Sequence, residues 1–284
     1  MCNFSYFISP YTTINNVTLT LFSDIIKNML VKNEKKFCDA HFHYADCLEK
    51  QAYDDNVNIY ACSCAHSIDE WNIQKSMKNS NPNSVCSFGL HPQSGEYIDI
   101  EKNLSFLEKL LINGEVKVLG ETGFDYFTDD FKNQNDKQEK MFIKQLELAE
   151  KYNVPVVIHC RKANEKLFEY SGELKKLPSV LFHSFMGTSS EALSLLNKNI
   201  NGYFSFGKQM MNNNKKVISC VKELPLDKLL CETDAPYQFL KGETKTKNSQ
   251  IKEIYSAFIS FRNEDESIIF DQLFENFNAM FCIT

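Results

Sequence analysis

The sequence predicts an α/β fold, a single-domain (β/α)8 TIM barrel, and two observations carry that expectation. From residue 37 onward, eight short apolar runs alternate with longer stretches of helical periodicity, at intervals of roughly 20–40 residues. Five of the six histidines stand at the ends of those runs, on the rim where a parallel barrel keeps its chemistry. The length, 284 residues, suits one barrel of roughly 250 residues.

The first expected strand, 37–42, leads into Asp39-Ala40-His41-Phe42-His43-Tyr44. His41 and His43 are two apart and share a face of an extended chain, and two adjacent imidazoles are half of a transition-metal site. The second, 57–62, brings Cys62 and Cys64, read as small strand residues because no second cysteine pair at metal-ligand spacing follows. The third, 85–90, ends in His91-Pro92, and the fourth, 116–121, in Gly120-Glu121. The fifth, 154–159, ends in His159-Cys160-Arg161, and the sixth, 179–183, in His183-Ser184. A seventh, 200–205, carries no such group, and the eighth, 228–232, runs into Glu232-Thr233-Asp234. Helices are expected at 68–79, 101–113, 135–152, 163–175, 188–198, 213–222, 249–262 and 267–281. The clearest is 135–152, where Phe142, Leu146 and Ala149 recur on one face.

Composition narrows the function. Apolar residues make up 43% and charged residues 24%, as in soluble globular domains, and no run of about 18 apolar residues offers a membrane span. The net charge of −6 opposes tight non-specific binding to polyanions, yet leaves room for a hydrolase that only visits a strand end. Ten cysteines in a chain without an export signal suggest reduced thiols and a cytoplasmic location. Residues 1–36 lack the periodicity of the rest and read as an N-terminal extension to a barrel of residues 37–284.

Four strand-end histidines with two carboxylates exceed what one tetrahedral ion with an open position can use. Shared between two divalent ions, with one carboxylate bridging, they fit. Such a pair lowers the pKa of water from about 15.7 to near 7 and so supplies hydroxide at neutral pH.

Six motifs, DAHFHY, FGLHPQ, LGETGFDYF, VPVVIHCRKA, VLFHSFMGT and LLCETDAPY, together resemble the TatD family of metal-dependent deoxyribonucleases, a branch of the amidohydrolase-like barrels. The resemblance runs from Phe37 to Cys282 in the family's order. It implies that His41, His43, Glu121 and Asp234 hold one metal, and that Glu121 bridges to a second held by His159 and His183. The ions would be Zn, Mg or Mn. Asp234 would orient or deprotonate the attacking water, and His91 would stand near the substrate phosphate as proton donor or contact. The implied activity is hydrolysis of DNA phosphodiester bonds by a metal-bound hydroxide, as an exonuclease on single strands, by a monomer that needs no membrane.

An amide or ester hydrolase of the same barrel class, such as a deacylase of charged transfer RNA, is the alternative, because fold does not choose between these chemistries. Glu121 stands where amide-hydrolysing relatives often place a modified lysine. A metal-free binding protein is a third reading, which the complete ligand set disfavours. Arg161 is either a phosphate contact or one half of a salt bridge. Glu232 shares a face with Asp234 or supports a histidine ligand. Lys241, Lys245, Lys247 and Lys252 could meet a phosphate backbone or form a solvated loop. Asp125 belongs to a motif but shows no role, and His66 reads as a loop residue. Ser184 and Met186 stand where the family commonly has cysteine and serine, and a lysine-rich run follows Gln238, so departures gather around the substrate rather than the ligands.

Overall fold

In the computed structural model, residues 35–94 and 99–282 are described; the expected extension lies outside them but for Lys35 and Lys36. Eight strands follow one another in chain order around a single sheet. They are β1 (Cys38–Phe42), β2 (Tyr60–Ala65), β3 (Ser84–Phe88), β4 (Val118–Asp125), β5 (Val156–Arg161), β6 (Val180–Phe182), β7 (Gly202–Phe206) and β8 (Leu229–Cys231). Every paired neighbour is parallel, as expected when helices carry the chain back between strands. The (β/α)8 expectation holds.

Helix Asn135–Tyr152 matches its expected limits and ends at Asn153, whose φ of 50° closes it in the left-handed conformation. Two expected helices are each broken in two. Residues 68–79 divide into Ile68–Gln74 and Met77–Ser80, and 163–175 into Asn164–Glu169 and Ser171–Leu174. In both, a serine hydroxyl at the break donates to the carbonyl three residues back, Ser76 to Ile73 and Ser171 to Phe168, competing with the helical ladder. The second strand needs a larger correction. It spans 60–65 rather than 57–62, because the ladder with β3 pairs Ala61–Ala65 with Ser84–Phe88. Its small residues Ala61, Cys62, Ser63, Cys64 and Ala65 lack the bulky apolar run that marks the other strands.

Two layers of apolar side chains hold the barrel. The larger fills the space between strands and helices, with Phe42, Phe88, Phe124, Phe182 and Phe204 among its members. The smaller combines Cys38, Ala40, Cys62, Cys64, Val118, Val157, Leu181 and Leu230 with Phe277, Met280 and Phe281. Its last three residues come from the end of helix Glu266–Met280 and the residue that follows, and they meet the amino-terminal ends of the strands. There Phe277 lies 6.5 Å from Tyr60, and Ser179 Oγ donates to the Met280 carbonyl at 2.6 Å.

The carboxyl-terminal end is irregular where chemistry is expected. The β1–β2 register slips between Asp39 and Phe42, and the β4–β5 register between Leu119 and Thr122. Each slip inserts one extra residue beside an expected ligand, His41 or Glu121, and such bulges re-aim side chains. Closure between β8 and β1 is made at the same end. Asp39 accepts from the Thr233 backbone (2.8 Å) and hydroxyl (2.6 Å), Asp234 N donates to His41 O at 2.9 Å, and His43 N donates to Ala235 O at 2.8 Å. The residues that carry ligands also fasten the barrel.

Gly123 permits the close approach of β4 and β5. Its φ is +141°, and a Cβ there would lie 1.9 Å from the carbonyl oxygen of His159. Gly123→Ala is expected to cost about 3 kcal/mol from backbone strain and overpacking, read as a lowered midpoint of urea unfolding; an unchanged midpoint would show that β5 can move aside freely.

Candidate metal centre

The strand ends bring together all six expected ligands. Glu121, within β4 and 1% exposed, is the centre of the group. Its Oε2 lies 3.2 Å from His41 Nε2, 3.4 Å from His66 Nε2 and 3.9 Å from His43 Nε2. Its Oε1 lies 2.7 Å from His159 Nδ1, 2.7 Å from His183 Nε2 and 3.5 Å from His91 Nε2. Asp234, just beyond β8, sets Oδ1 at 3.2 Å from His43 Nε2 and 3.5 Å from His41 Nε2. Its backbone is left-handed, with φ 51°, which turns the carboxylate back over the barrel mouth. Each oxygen of one buried carboxylate thus faces its own set of imidazoles.

Behind this layer, partners fix which ring nitrogen looks inward. Asp125 Oδ2 lies 3.0 Å from His159 Nε2 and accepts from Gln93 Nε2 at 2.7 Å, while Phe127 N donates to its Oδ1 at 2.8 Å. His159 thus presents Nε2 to Asp125 and Nδ1 to Glu121, the arrangement in which an outer carboxylate orients an imidazole toward a metal. Asp125 fixes the orientation of the His159 ring. Glu232, fully buried, accepts from Ser205 Oγ at 2.5 Å and from Ser184 Oγ, and sits 3.7 Å from His183 Nδ1. It stands behind His183, with its hydrogen bonds going to the two serines. Cys64 Sγ lies 3.2 Å from His41 Nδ1 and accepts from Ser87 Oγ at 2.9 Å, so this strand residue helps to orient the His41 ring.

Charge is distributed accordingly. Burial works against the carboxylate form of Glu121, yet the imidazoles of His183, His41 and His91 outweigh it and hold its pKa well below the usual range. Burial likewise opposes ionisation of Asp234 and Asp125, but His43 beside the first and His159 beside the second bring both to about 2. For His183, burial disfavours the cation, and Glu121 with Glu232 overcomes it, leaving the pKa well above ordinary. His91 goes the other way: burial, only partly offset by Glu121, takes it down to about 3, so its ring is neutral at pH 7.

The donor set fits divalent cations. His41 Nε2 and His43 Nε2 are 3.2 Å apart, as are His159 Nδ1 and His183 Nε2, and every one of these nitrogens also faces a carboxylate oxygen. So many converging lone pairs are stable only around positive charge, from protons or from a metal. His41 with His43 and Glu121, His41 with His183 and Asp234, and His91 with Glu121 and His159 each bring their ligand atoms within 4.8 Å of one another. Imidazole with carboxylate is the chemistry of Zn, Mn and related ions.

Other expectations fare differently. His91 lines the mouth and also serves its own loop, because Gln93 N donates to its Nδ1 at 3.2 Å. Arg161 is exposed at the rim of the same cavity and stacks on Phe127, 3.4 Å from the ring centroid; the salt-bridge alternative finds no partner among the described residues. The lysines do not gather at the mouth. Lys245 Nζ donates to Lys50 O at 2.5 Å, Lys252 lies over Phe37, and none of the four lines the cavity. His66 is more than a loop residue, since it joins the ring around Glu121. Gln238, read in the sequence only as the edge of the lysine-rich run, donates from Nε2 to Asp234 Oδ2 at 2.7 Å and to Ser184 Oγ. Tyr237 packs its ring 5.2 Å from His43 and donates to Asp46 at 2.7 Å.

Asp125→Ala removes the partner that holds His159. It is expected to weaken divalent-metal binding tenfold to about a hundredfold, measured by titrating chelator-stripped protein; an unchanged affinity would show that His159 is oriented by packing alone.

A model of the TatD related DNase family matches residues 38–282. A metal-dependent hydrolase of Mycoplasma genitalium is 31% identical over 189 residues, which are 64% of this chain and 71% of that protein. The 3′-5′ ssDNA/RNA exonuclease TatD of Escherichia coli K12 is 29% identical over 203 residues, 68% of this chain and 76% of its own. Among solved structures, a TatD homologue from E. coli K12 superposes with a TM-score of 0.78 at 23% identity, covering 88% of this chain and 99% of that one. With the family's model matched from the first strand to the end of the last helix, this chain belongs to the TatD-related DNase family of metal-dependent hydrolases.

Proposed function

We propose that the chain is an exonuclease that hydrolyses phosphodiester bonds at the ends of single-stranded DNA, using two divalent cations held on either side of Glu121. The observation that carries this reading is the division of labour on that carboxylate: Oε2 faces His41 and His43, and Oε1 faces His159 and His183. Asp234 would complete the first group. When bound, a pair of cations lowers the pKa of water and stabilises both the attacking and the leaving oxygen of an in-line displacement.

The chain's own groups do the rest. Asp234, ionised at neutral pH, can orient water through Oδ1 or accept its proton, while Gln238 holds Oδ2. His91 accepts the Gln93 N–H at Nδ1, so its proton sits on Nε2, which lies 3.5 Å from Glu121 Oε1 at the cavity wall and can serve a phosphate oxygen seated there as a neutral donor. Arg161, steadied on Phe127 and without an ion pair among the described residues, offers a guanidinium that grips phosphate bidentately.

The cavity that these groups line, about 530 Å³, has room for a nucleotide at a chain end, and a net charge of −6 disfavours wrapping a duplex. The E. coli relative named for ssDNA/RNA exonuclease activity supports the same substrate class. All residues of the set come from one chain, so a monomer suffices. The cysteines of the described residues are free thiols and no helix there is long and apolar enough to cross a membrane, which supports a cytoplasmic location.

Single-stranded oligomers labelled at the 3′ or the 5′ end, with added Mg, Mn or Zn, test this reading. Stepwise shortening is expected, slowed at least about a thousandfold in Glu121→Ala and in Asp234→Asn. Metal-loaded protein that leaves DNA intact and hydrolyses an acyl ester would shift the assignment to the other hydrolase chemistry.

A further inference from the structure

His66 is outside the six ligands discussed above, yet its place is built. Helix Ile68–Gln74 begins at Ser67, whose Oγ accepts the Glu70 N–H at 3.2 Å. Glu70 returns the interaction twice. Its Oε1 accepts from Ser67 Oγ at 2.9 Å, and its Oε2 accepts the backbone N–H of His66 at 2.8 Å. The same Oε2 lies 3.9 Å from His66 Nδ1. The ring is wedged between His43 and His91, with centroids 5.0 and 4.8 Å away. Its other nitrogen, Nε2, is buried, has no hydrogen-bond partner among the described residues and lies 3.4 Å from Glu121 Oε2.

Nδ1 faces Glu70 and Nε2 faces Glu121 Oε2, the nearer of the two carboxylates; with a cation beside Glu121, the proton belongs on Nδ1 toward Glu70 and Nε2 is left with a lone pair for the ion. A phosphate-binding role would require the opposite tautomer, with the proton on Nε2. We infer that His66 is an additional ligand to the cation on the Glu121 Oε2 side, beside His41 and His43, and that this half of the centre therefore prefers imidazole-loving ions such as Zn or Co over Mg. The inference rests on the reading that cations flank Glu121. It also accounts for the balance around that residue, with three imidazoles on Oε2 and three on Oε1.

The test uses the full chain, stripped with chelator and titrated without nucleic acid. Zn and Mg affinities are measured for the wild type, His66→Ala and His66→Gln, with circular dichroism to establish folding and the visible spectrum of the Co-loaded protein as a second readout. Zn binding at one site is expected to weaken tenfold or more in both variants, Mg binding to stay within about twofold, and the Co bands to change intensity or position. Folded variants with wild-type Zn affinity and an unchanged Co spectrum would overturn the assignment, including the case where they cleave DNA slowly, which would make His66 a substrate contact. Restored Zn affinity in His66→Gln alone would overturn it too, by showing that the ring only fills space. Failure of the wild type to bind any divalent ion would instead refute the two-cation reading itself, so the two failures are told apart.

Discussion

The buried carboxylate of Glu121 is the constraint around which the molecule is arranged. A lone charge at that depth is costly, and pairing offsets the cost only with close geometry and further hydrogen bonds. Both conditions are met here by imidazoles, six of which approach its two oxygens. The imidazoles need support in turn. His159 has Asp125 and His41 has the Cys64 thiol, while Glu232 stands 3.7 Å behind His183. Burial takes that thiol's pKa well above its ordinary value, so Cys64 remains protonated and serves as a weak hydrogen-bonding group rather than a competing anionic ligand.

The barrel delivers these groups by departing from regularity at one end. Strand bulges beside His41 and Glu121, left-handed backbone at Ser184 and Asp234, and glycines that let β4 lie against β5 are all near the mouth. The opposite end is closed by Phe277, Met280 and Phe281 and carries no comparable cluster among the described residues. Stability and chemistry thus occupy different ends, as this architecture favours. They meet at the junction of β8 and β1, where Asp39 binds Thr233 beside Asp234.

Much of this was legible in the residues. Apolar runs ending in histidine or carboxylate placed His41, His43, Glu121, His159, His183 and Asp234 on one rim, because a strand's end is marked by the change from apolar to polar. The position of β2 was not legible, since alanine, serine and cysteine give neither bulk nor alternation to read. Bulges leave little trace beyond Gly120 and Gly123. The part played by His66 depends on Glu70, four residues on, anchoring its backbone, and the stacking of Arg161 on Phe127 spans 34 residues of chain. Of the two readings open for the lysines after Tyr237, the loop reading is the one that fits, since none of the four lines the cavity.

The central claim is that Glu121 bridges two cations. Crystals of the full chain soaked in Mn, with anomalous diffraction recorded at the Mn edge, test it most directly. Two anomalous peaks are expected, one on the Oε2 side among His41, His43 and Asp234, the other on the Oε1 side between His159 and His183. A single peak, or metal bound away from Glu121, would contradict it.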